Sequence, residues 1–317
     1  MIRNIFIPLM LLISGYSYAQ TTTGEKSLNE VTTTLVNNQL TPELVKVEYD
    51  GGFSNGIFNS VDGKLANKFK QSIFTVSVFP AALINKSNTQ LYMGAGYTDQ
   101  KFSNFATDQY SSLFSENIRS FFVGTALSEK FGNQFFWQSY LQTGLNGTNP
   151  FQNIDKTFNA EIITKADYKL QRNLNVGLGI AYFSNMGNPL ILPAVTFTYS
   201  QEKYIINLDF PVKTEIEAIF VQGKIRPVAG VSYHGGTYYL NDQNQYLYNF
   251  GALGYFGARF RILDFLYFYA AYQTGVYDQY KSGSKHNLSE IGTYSGQNQI
   301  VISLNIQMAK FIPLSQH

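Results

Sequence analysis

NVGLGIAYF, Asn175 to Phe183, puts Val176, Leu178, Ile180 and Tyr182 on one face of an extended chain and Asn175, Gly177, Gly179 and Ala181 on the other. A strand of a soluble sheet turns its large apolar face to a core and shows water its charged residues and good strand formers. Applied here, that rule would make two glycines and an alanine the solvent surface. The reverse orientation has no such conflict. Large side chains lie in hydrocarbon, and the small face leaves room for side chains from the rest of a closed wall. The stretch therefore predicts one strand of a transmembrane β-barrel.

The same period recurs along the chain. Leu91, Met93, Ala95 and Tyr97 oppose Tyr92, Gly94, Gly96 and Thr98. Phe135, Trp137, Leu141 and Leu145 oppose Gln138, Gln142 and Gly144, and Ile300, Ile302, Leu304, Ile306 and Met308 oppose Ser303, Asn305 and Gln307. Connections between such runs fall into two alternating classes. Short turns are expected at Asn85 to Asn88, Lys130 to Asn133, Leu170 to Asn173, Ser200 to Lys203, Val221 to Lys224 and Ile262 to Phe265. Long loops are expected at Ser54 to Lys68, Ser103 to Ser115, Thr148 to Lys156, Ser184 to Pro189, Gly235 to Gln245 and Gln279 to Gln297, with a compact bend around Pro211 in one such position. Short turns at one rim and long loops at the other are the habit of outer-membrane barrels. The expected fold is all-β, an antiparallel up-and-down barrel of about 14 strands, an even number with both termini on the short-turn side. If Lys203 to Phe220 were one strand and Glu43 to Phe53 lay outside the wall, the count would be about 12. Tyr199, Tyr204, Phe265, Tyr267 and Phe268, all near short turns, are candidates for an interfacial aromatic belt.

The ends and the composition agree. MIRNIFIPLMLLISGYSYAQ has a basic start, an apolar run and a small-x-small site before Gln20, so residues 1–19 read as a signal peptide. Residues 20–42, polar and rich in Thr and Asn, read as a flexible periplasmic leader, and 43–317 as the barrel, in the outer membrane of a Gram-negative bacterium. Charged residues make up 14% of the chain against about 25% in soluble domains, too few for the outward faces of a secreted soluble β-protein. A net charge of +2 gives no reason to expect nucleic acid as a partner. The absence of cysteine removes disulfides and thiolate metal sites, and three scattered histidines assemble no metal cluster, so no metal or cofactor is expected. Expected partners are outer-membrane lipid, the barrel-assembly machinery and small polar solutes.

The segments FSNMGNPLILPAVTFTYSQEKYIINLDFPVKTEIEAI, Phe183 to Ile219, and RPVAGVSYHGGTYYL, Arg226 to Leu240, carry a Gly/Pro-containing loop, a strand beginning at a proline, an LDFP strand end and a Gly-Val-Ser-Tyr strand. In these the chain resembles an uncharacterised outer-membrane β-barrel family of Gram-negative bacteria. The resemblance implies a barrel and its location, and no reaction. The C-terminus departs from many outer-membrane proteins, since Phe311 is followed by Ile-Pro-Leu-Ser-Gln-His where a terminal aromatic often serves as an assembly signal.

Charges gather on the face expected to line the lumen. Asp209 opposes Leu208 and Phe210; Glu215 and Glu217 oppose Ile216 and Ala218; Arg226 shares a face with Gly230, Ser232 and His234; Arg259 and Arg261 share one with Gly257. Glu161, Lys165, Asp167 and Lys169 recur on one face of an earlier strand. The structural reading is mutual pairing that braces a narrow wet interior. The functional reading is a charged constriction that selects small polar solutes, as in a narrow channel or passive transporter. The alternative is a structural or interaction barrel with a closed lumen, acting through its loops. An outer-membrane hydrolase built on Ser232 and His234 lacks a third partner and a nucleophile motif, so an enzyme is not expected.

Overall fold

The computed structural model describes residues 43–61, 66–79, 84–85, 88–103, 111–114, 117–132, 134–184, 189–263, 265–284 and 287–307. The expected signal peptide and leader, His286, Phe311 and His317 lie outside these residues. In chain order the strands are β1 (Glu43–Gly52), β2 (Gly56–Ser60), β3 (Ala66–Val78), β4 (Ile84–Asn85), β5 (Thr89–Ser103), β6 (Ile118–Phe131), β7 (Phe135–Gly147), β8 (Phe158–Gln171) and β9 (Leu174–Phe183). There follow β10 (Leu190–Ser200), β11 (Tyr204–Phe210), β12 (Lys213–Ala218), β13 (Ile225–Leu240), β14 (Gln245–Arg261), β15 (Leu266–Ser284), β16 (Asn287–Ser295) and β17 (Asn298–Gln307). One short helix, α1 (Ile154–Thr157), sits between β7 and β8. No helix among the described residues is long and apolar enough to cross a membrane.

The strands close into one antiparallel barrel of 14 wall positions. Sequence neighbours pair from β5 through β15, β15 pairs with β17, and β17 with β1, which returns through β3 to β5. The short strands fill no separate position. β2 continues β1 beyond Gly52, β16 occupies the same position as β17, and β2 and β16 pair with each other above the main wall. β1 is thus in the wall, and Lys203 to Phe220 is a hairpin turning at Pro211 and Val212, so both conditions for the smaller count fail.

The barrel is inside out relative to a soluble one. In the deciding strand, β9, Leu178 is 70% exposed whereas Ala181 is 0% exposed, and the polar Asn175 is buried. Ile300, Ile302 and Leu304 are exposed while Ser303 and Asn305 are buried, and Met93, Val123, Trp137, Ile162, Ile216 and Phe256 extend the exposed apolar surface around the wall. Such a surface is stable only against hydrocarbon, because no set of charged residues covers it. The small residues do more than vacate space. A Cβ built on Gly177 would overlap Asp167 Oδ1 and Thr196 Oγ1, which come from the strands on either side, so this glycine admits an interlock between β8 and β10.

Four expectations need correction. Gly235 to Gln245 is not a loop, since β13 runs to Leu240 and β14 begins at Gln245. Much of Gln279 to Gln297 is likewise strand, in β15 and β16, and part of Ser54 to Lys68 forms β2 and the start of β3. Their polar residues imitate a loop, but Tyr280, Ile291 and Tyr294 are buried inside the upper barrel, with Ile291 at a bulge in the β15–β16 register. Tyr267 does not belong to an outward belt. It adjoins Phe268, so the two cannot share a face; Phe268 packs against the exposed Phe260, while Tyr267 lies under the guanidinium of Arg226.

If the outward face lies in hydrocarbon, Leu178→Arg will lower stability by roughly 2–4 kcal/mol, whereas Gln222→Arg, in a turn, will change little. Urea titration of the mature chain folded into phospholipid vesicles checks both.

Candidate functional site

β11 and β12 are held together by a tight turn and feed directly into β13 and β14, so alternate residues of four adjacent strands point to one sector of the interior. Their charges form a continuous network. Glu217 accepts hydrogen bonds from Arg226 Nη1 at 2.8 Å and from Arg259 Nη1. Glu215 accepts from Arg259 Nη2 at 2.9 Å, from Lys213 Nζ at 3.0 Å and from the Tyr255 hydroxyl at 2.9 Å. Arg226 and Arg259 are direct partners in the β13–β14 register, a like-charge juxtaposition that Glu217 bridges. Each guanidinium also lies over an aromatic ring, Arg226 over Tyr267 at 5.5 Å and Arg259 over Tyr269 at 5.7 Å.

The second charged set joins the first. Lys165 Nζ on β8 reaches Asp209 Oδ1 on β11 at 3.0 Å, and Asp167 accepts a hydrogen bond from the Thr196 hydroxyl on β10. The structure thus brings together Lys165, Asp167 and Asp209 in one group and Glu215, Glu217, Arg226 and Arg259 in the other, with Asp209 opposite Lys213 in register between them. Glu161 lies further up the inward face of β8. Arg261 is at the short-turn rim, where its guanidinium donates to the Gln222 carbonyl at 3.3 Å. His234 stands apart from the network; its Nε2 is 3.1 Å from Asp278 Oδ2, to which the Tyr280 hydroxyl also donates at 3.4 Å. The other ring nitrogen, Nδ1, is buried with no protein partner, so no serine hydroxyl completes a nucleophilic arrangement there.

Sequence reasoning misses Lys213, Tyr255 and Asp278, and also the inward row Lys46, Glu48 and Asp50 on β1, where Lys46 and Glu48 pair at 2.8 Å. The signal for that row is plain in VKVEYD, Val45 to Asp50, whose charges alternate with Val47 and Tyr49. Among and beside the charges, the inward atoms Gln138 Oε1, Asn175 Oδ1, Gln273 Oε1, Ser303 Oγ and Asn305 Oδ1 are buried without a protein partner; Gln138 is opposite Lys165, Ser303 opposite Glu48 and Asn305 opposite Lys46 in register. Buried polar groups of this kind are satisfied by water. The interior between the strands is therefore polar, with hydrogen-bonding capacity its own side chains leave open.

The long-loop mouth has the opposite character. Phe58, Phe69, Leu113, Phe114, Ile118, Leu240, Leu247, Tyr280, Ile291 and Tyr294 form an apolar cluster, with Phe58 and Phe69 both 0% exposed. Leu113 and Phe114 come from a single helical turn, Ser111–Phe114, in the connection between β5 and β6. Phe114 packs 5.3 Å from Phe69, 5.1 Å from Phe102 and 5.4 Å from Tyr280, centroid to centroid, and Phe69 stacks on Tyr294 at 4.2 Å. Above the cluster the β13–β14 hairpin leans across to β7, where Thr148 N donates to the Tyr239 carbonyl at 3.0 Å. Lys156 of α1 fastens it further, donating to the Tyr239 hydroxyl at 2.9 Å and to Asn244 Oδ1 at 3.0 Å. The bond to Tyr239 holds the Lys156 ammonium above its ordinary pKa.

Glu217→Ala would leave Arg226 and Arg259 facing each other without their bridge, and the expected loss is about 3 kcal/mol. The double variant Glu217→Ala/Arg226→Ala will lose less than the sum of the two single losses. Urea midpoints in lipid vesicles for the three variants and the parent decide it.

No curated protein matches this sequence. Among solved structures, the chain is similar to the translocator domain of autotransporter NalP from Neisseria meningitidis, at 12% identity and a TM-score of 0.37, covering 92% of this chain and 99% of that one. It is similar to the Pseudomonas putida toluene transporter TodX at 11% identity and a TM-score of 0.40, covering 93% and 97%. The KdgM porin in complex with disordered oligogalacturonate is similar at 10% identity and a TM-score of 0.31, covering 81% and 97%. A family model described as "Domain of unknown function (DUF6268)" matches residues 81–250, more than half of the chain, and the chain belongs to this family.

Proposed function

We propose that this protein is exported through residues 1–19, is inserted in the outer membrane by the barrel-assembly machinery with residues 20–42 as a periplasmic leader, and serves there as a narrow conduit for small polar solutes. The observation that carries this reading is the polar interior, in which atoms without a protein partner, such as those of Gln138, Asn175, Gln273 and Asn305, continue around the wall from the charged network. A barrel needing only to stand in the membrane has no use for polar groups its own side chains fail to satisfy. Glu161, Lys165, Asp167, Asp209, Glu215, Glu217, Arg226, His234, Arg259 and Arg261 are the candidate lining residues, with the Glu215–Arg259–Glu217–Arg226 group as the constriction. In an interior of mixed sign, neighbouring acids and bases set a transverse field that favours small polar molecules over hydrocarbon. The aromatic cluster around Phe114 closes the long-loop mouth, so the described conformation is the shut state of the conduit. We assign no reaction to it.

A second reading, a barrel closed for good and acting through its loops, is favoured by that same cluster and by a polar cavity of ≈ 360 Å³ at the mouth, lined by Arg119, Thr148, Asn149, Gln152, Asn241 and Asp242 among others. Single-channel recording of the refolded mature protein in a planar bilayer separates the two. The parent is expected to open rarely, and Leu113→Ser/Phe114→Ser to conduct steadily. Adding Arg226→Glu/Arg259→Glu to that variant is expected to move ion preference towards cations. A mouth variant that inserts and stays silent overturns the conduit and leaves the closed barrel.

A further inference from the structure

The wall is not equally tall all round. β11 and β12 have only 7 and 6 residues, and the bend at Pro211 and Val212 ends this part of the wall well below its neighbours. β10 pairs with β11 only from Val195 to Ser200, and β12 meets β13 only up to Ser232, with one further bond from Tyr233 N to the Val212 carbonyl. Above that level, Leu190–Ala194 of β10 and His234–Tyr238 of β13 have no strand between them among the described residues, although β9 and β14 pair with their other edges throughout. At the level of the bend the hairpin spans three inter-strand spacings, about 14 Å, and above it β13 leans over until Tyr239 meets Gly147 of β7. Pro193 falls in the unpaired stretch of β10, and proline within sheets is confined to edges and bulges. The β13–β14 hairpin roofs the break where Tyr239 meets Gly147.

The chemistry of the break differs from that of the interior around it. Ala181, Phe183 and Ala194 are buried together on the inward face, with Ile163 and Leu192 packed against them. Lower on the same inward faces come Lys165 and Asp167 on β8, Asn175 on β9 and Thr196 on β10. Outside, Ile162, Ile180, Ile191 and Val212 are exposed, and on the inward face Leu190, opposite Phe183, is exposed too. Apolar side chains therefore stand on both faces of the wall beside an edge with no strand on it. We infer that this break is a side portal through which a single-chain amphiphile passes between the barrel interior and the surrounding leaflet, its hydrocarbon on the Ile163–Leu192 patch and its head towards the polar interior. The inference rests on the outer-membrane reading above and adds a lateral route and a ligand class to it.

Tryptophan quenching tests it, because Trp137 is the single tryptophan and is itself exposed on the outward face. In a Trp137→Phe background, Leu192→Trp and Ile163→Trp each place a reporter at the inner patch, and Tyr92→Trp places one on the inward face of β5, across a closed part of the wall. Folding of each variant is verified by heat-dependent migration in detergent gels. In vesicles of brominated phosphatidylcholine, Trp137 of the parent and both patch reporters are expected to be quenched, and the Tyr92→Trp control is expected to keep its emission. In unbrominated vesicles, a brominated fatty acid is expected to quench the patch reporters saturably and at lower concentration than it quenches Trp137. Patch reporters quenched no more than the Tyr92→Trp control overturn the portal while Trp137 still reports a membrane barrel. Quenching by the fatty acid that rises alike at all lipid-facing reporters overturns the ligand class. An unquenched Trp137 overturns the portal together with the membrane reading beneath it.

Discussion

In hydrocarbon an unpaired backbone N–H or C=O has no water to turn to, and the closure of β1 on β17 answers that constraint for the wall everywhere but above the β11–β12 bend. Every other feature follows from it. A closed wall has one face in lipid and one face inside, so strand alternation becomes a sorting of side chains into exposed apolar residues such as Leu178 and Ile300 and buried small or polar ones such as Gly177 and Ser303. The interior is too narrow for large residues at every inward position, which is why Gly177 stands where Asp167 and Thr196 meet.

Two chemically distinct layers fill that interior. Near the short-turn side, carboxylates and guanidiniums tie neighbouring strands, with Glu217 holding two arginines that register alone would set against each other. Removing charges from water is costly, and here Glu215, Glu217 and Arg259 each offset that cost with two or more partners, and aromatic faces offset it further for the two arginines. At the long-loop side, the same inward positions carry phenylalanine and tyrosine, and the packing is that of a dry core. The change from ions to aromatics along one bore is a change from a layer with hydrogen-bonding capacity left open to one that excludes water.

Much of this is legible in the sequence. The small face opposite Val176, Leu178 and Ile180 decides the orientation of the wall, and the alternation of connections predicts the 14 wall positions. The charged residues are found because period two marks a face, and their partners across neighbouring strands follow from short turns. Three things escape such a reading. Register between strands is a tertiary property, so the ion pair between Lys165 and Asp209, three strands apart, is not contained in either strand's pattern. Distance from a turn groups Tyr267 with its neighbours, although parity separates it from Phe268. The tall strands around Tyr280 and Tyr294 look like loops because their outward faces stand above the apolar belt and carry the polar residues of a water-facing sheet.

The contact between Tyr239 and Gly147 has a bearing on how the molecule is made. It joins strands that are not wall neighbours, and the adjoining bond between Thr148 and Asn241 spans 93 positions of sequence. Closing so long a loop is entropically unfavourable until the intervening strands have already shortened the path between its ends. The hairpin tip therefore docks after β7 to β13 are in place, and with it Leu240 and Leu247 reach the aromatic cluster. The strands from β7 to β13 and the tip above them are then separate stages of one folding reaction: that arc of the wall pairs first, and the hairpin crosses over it afterwards.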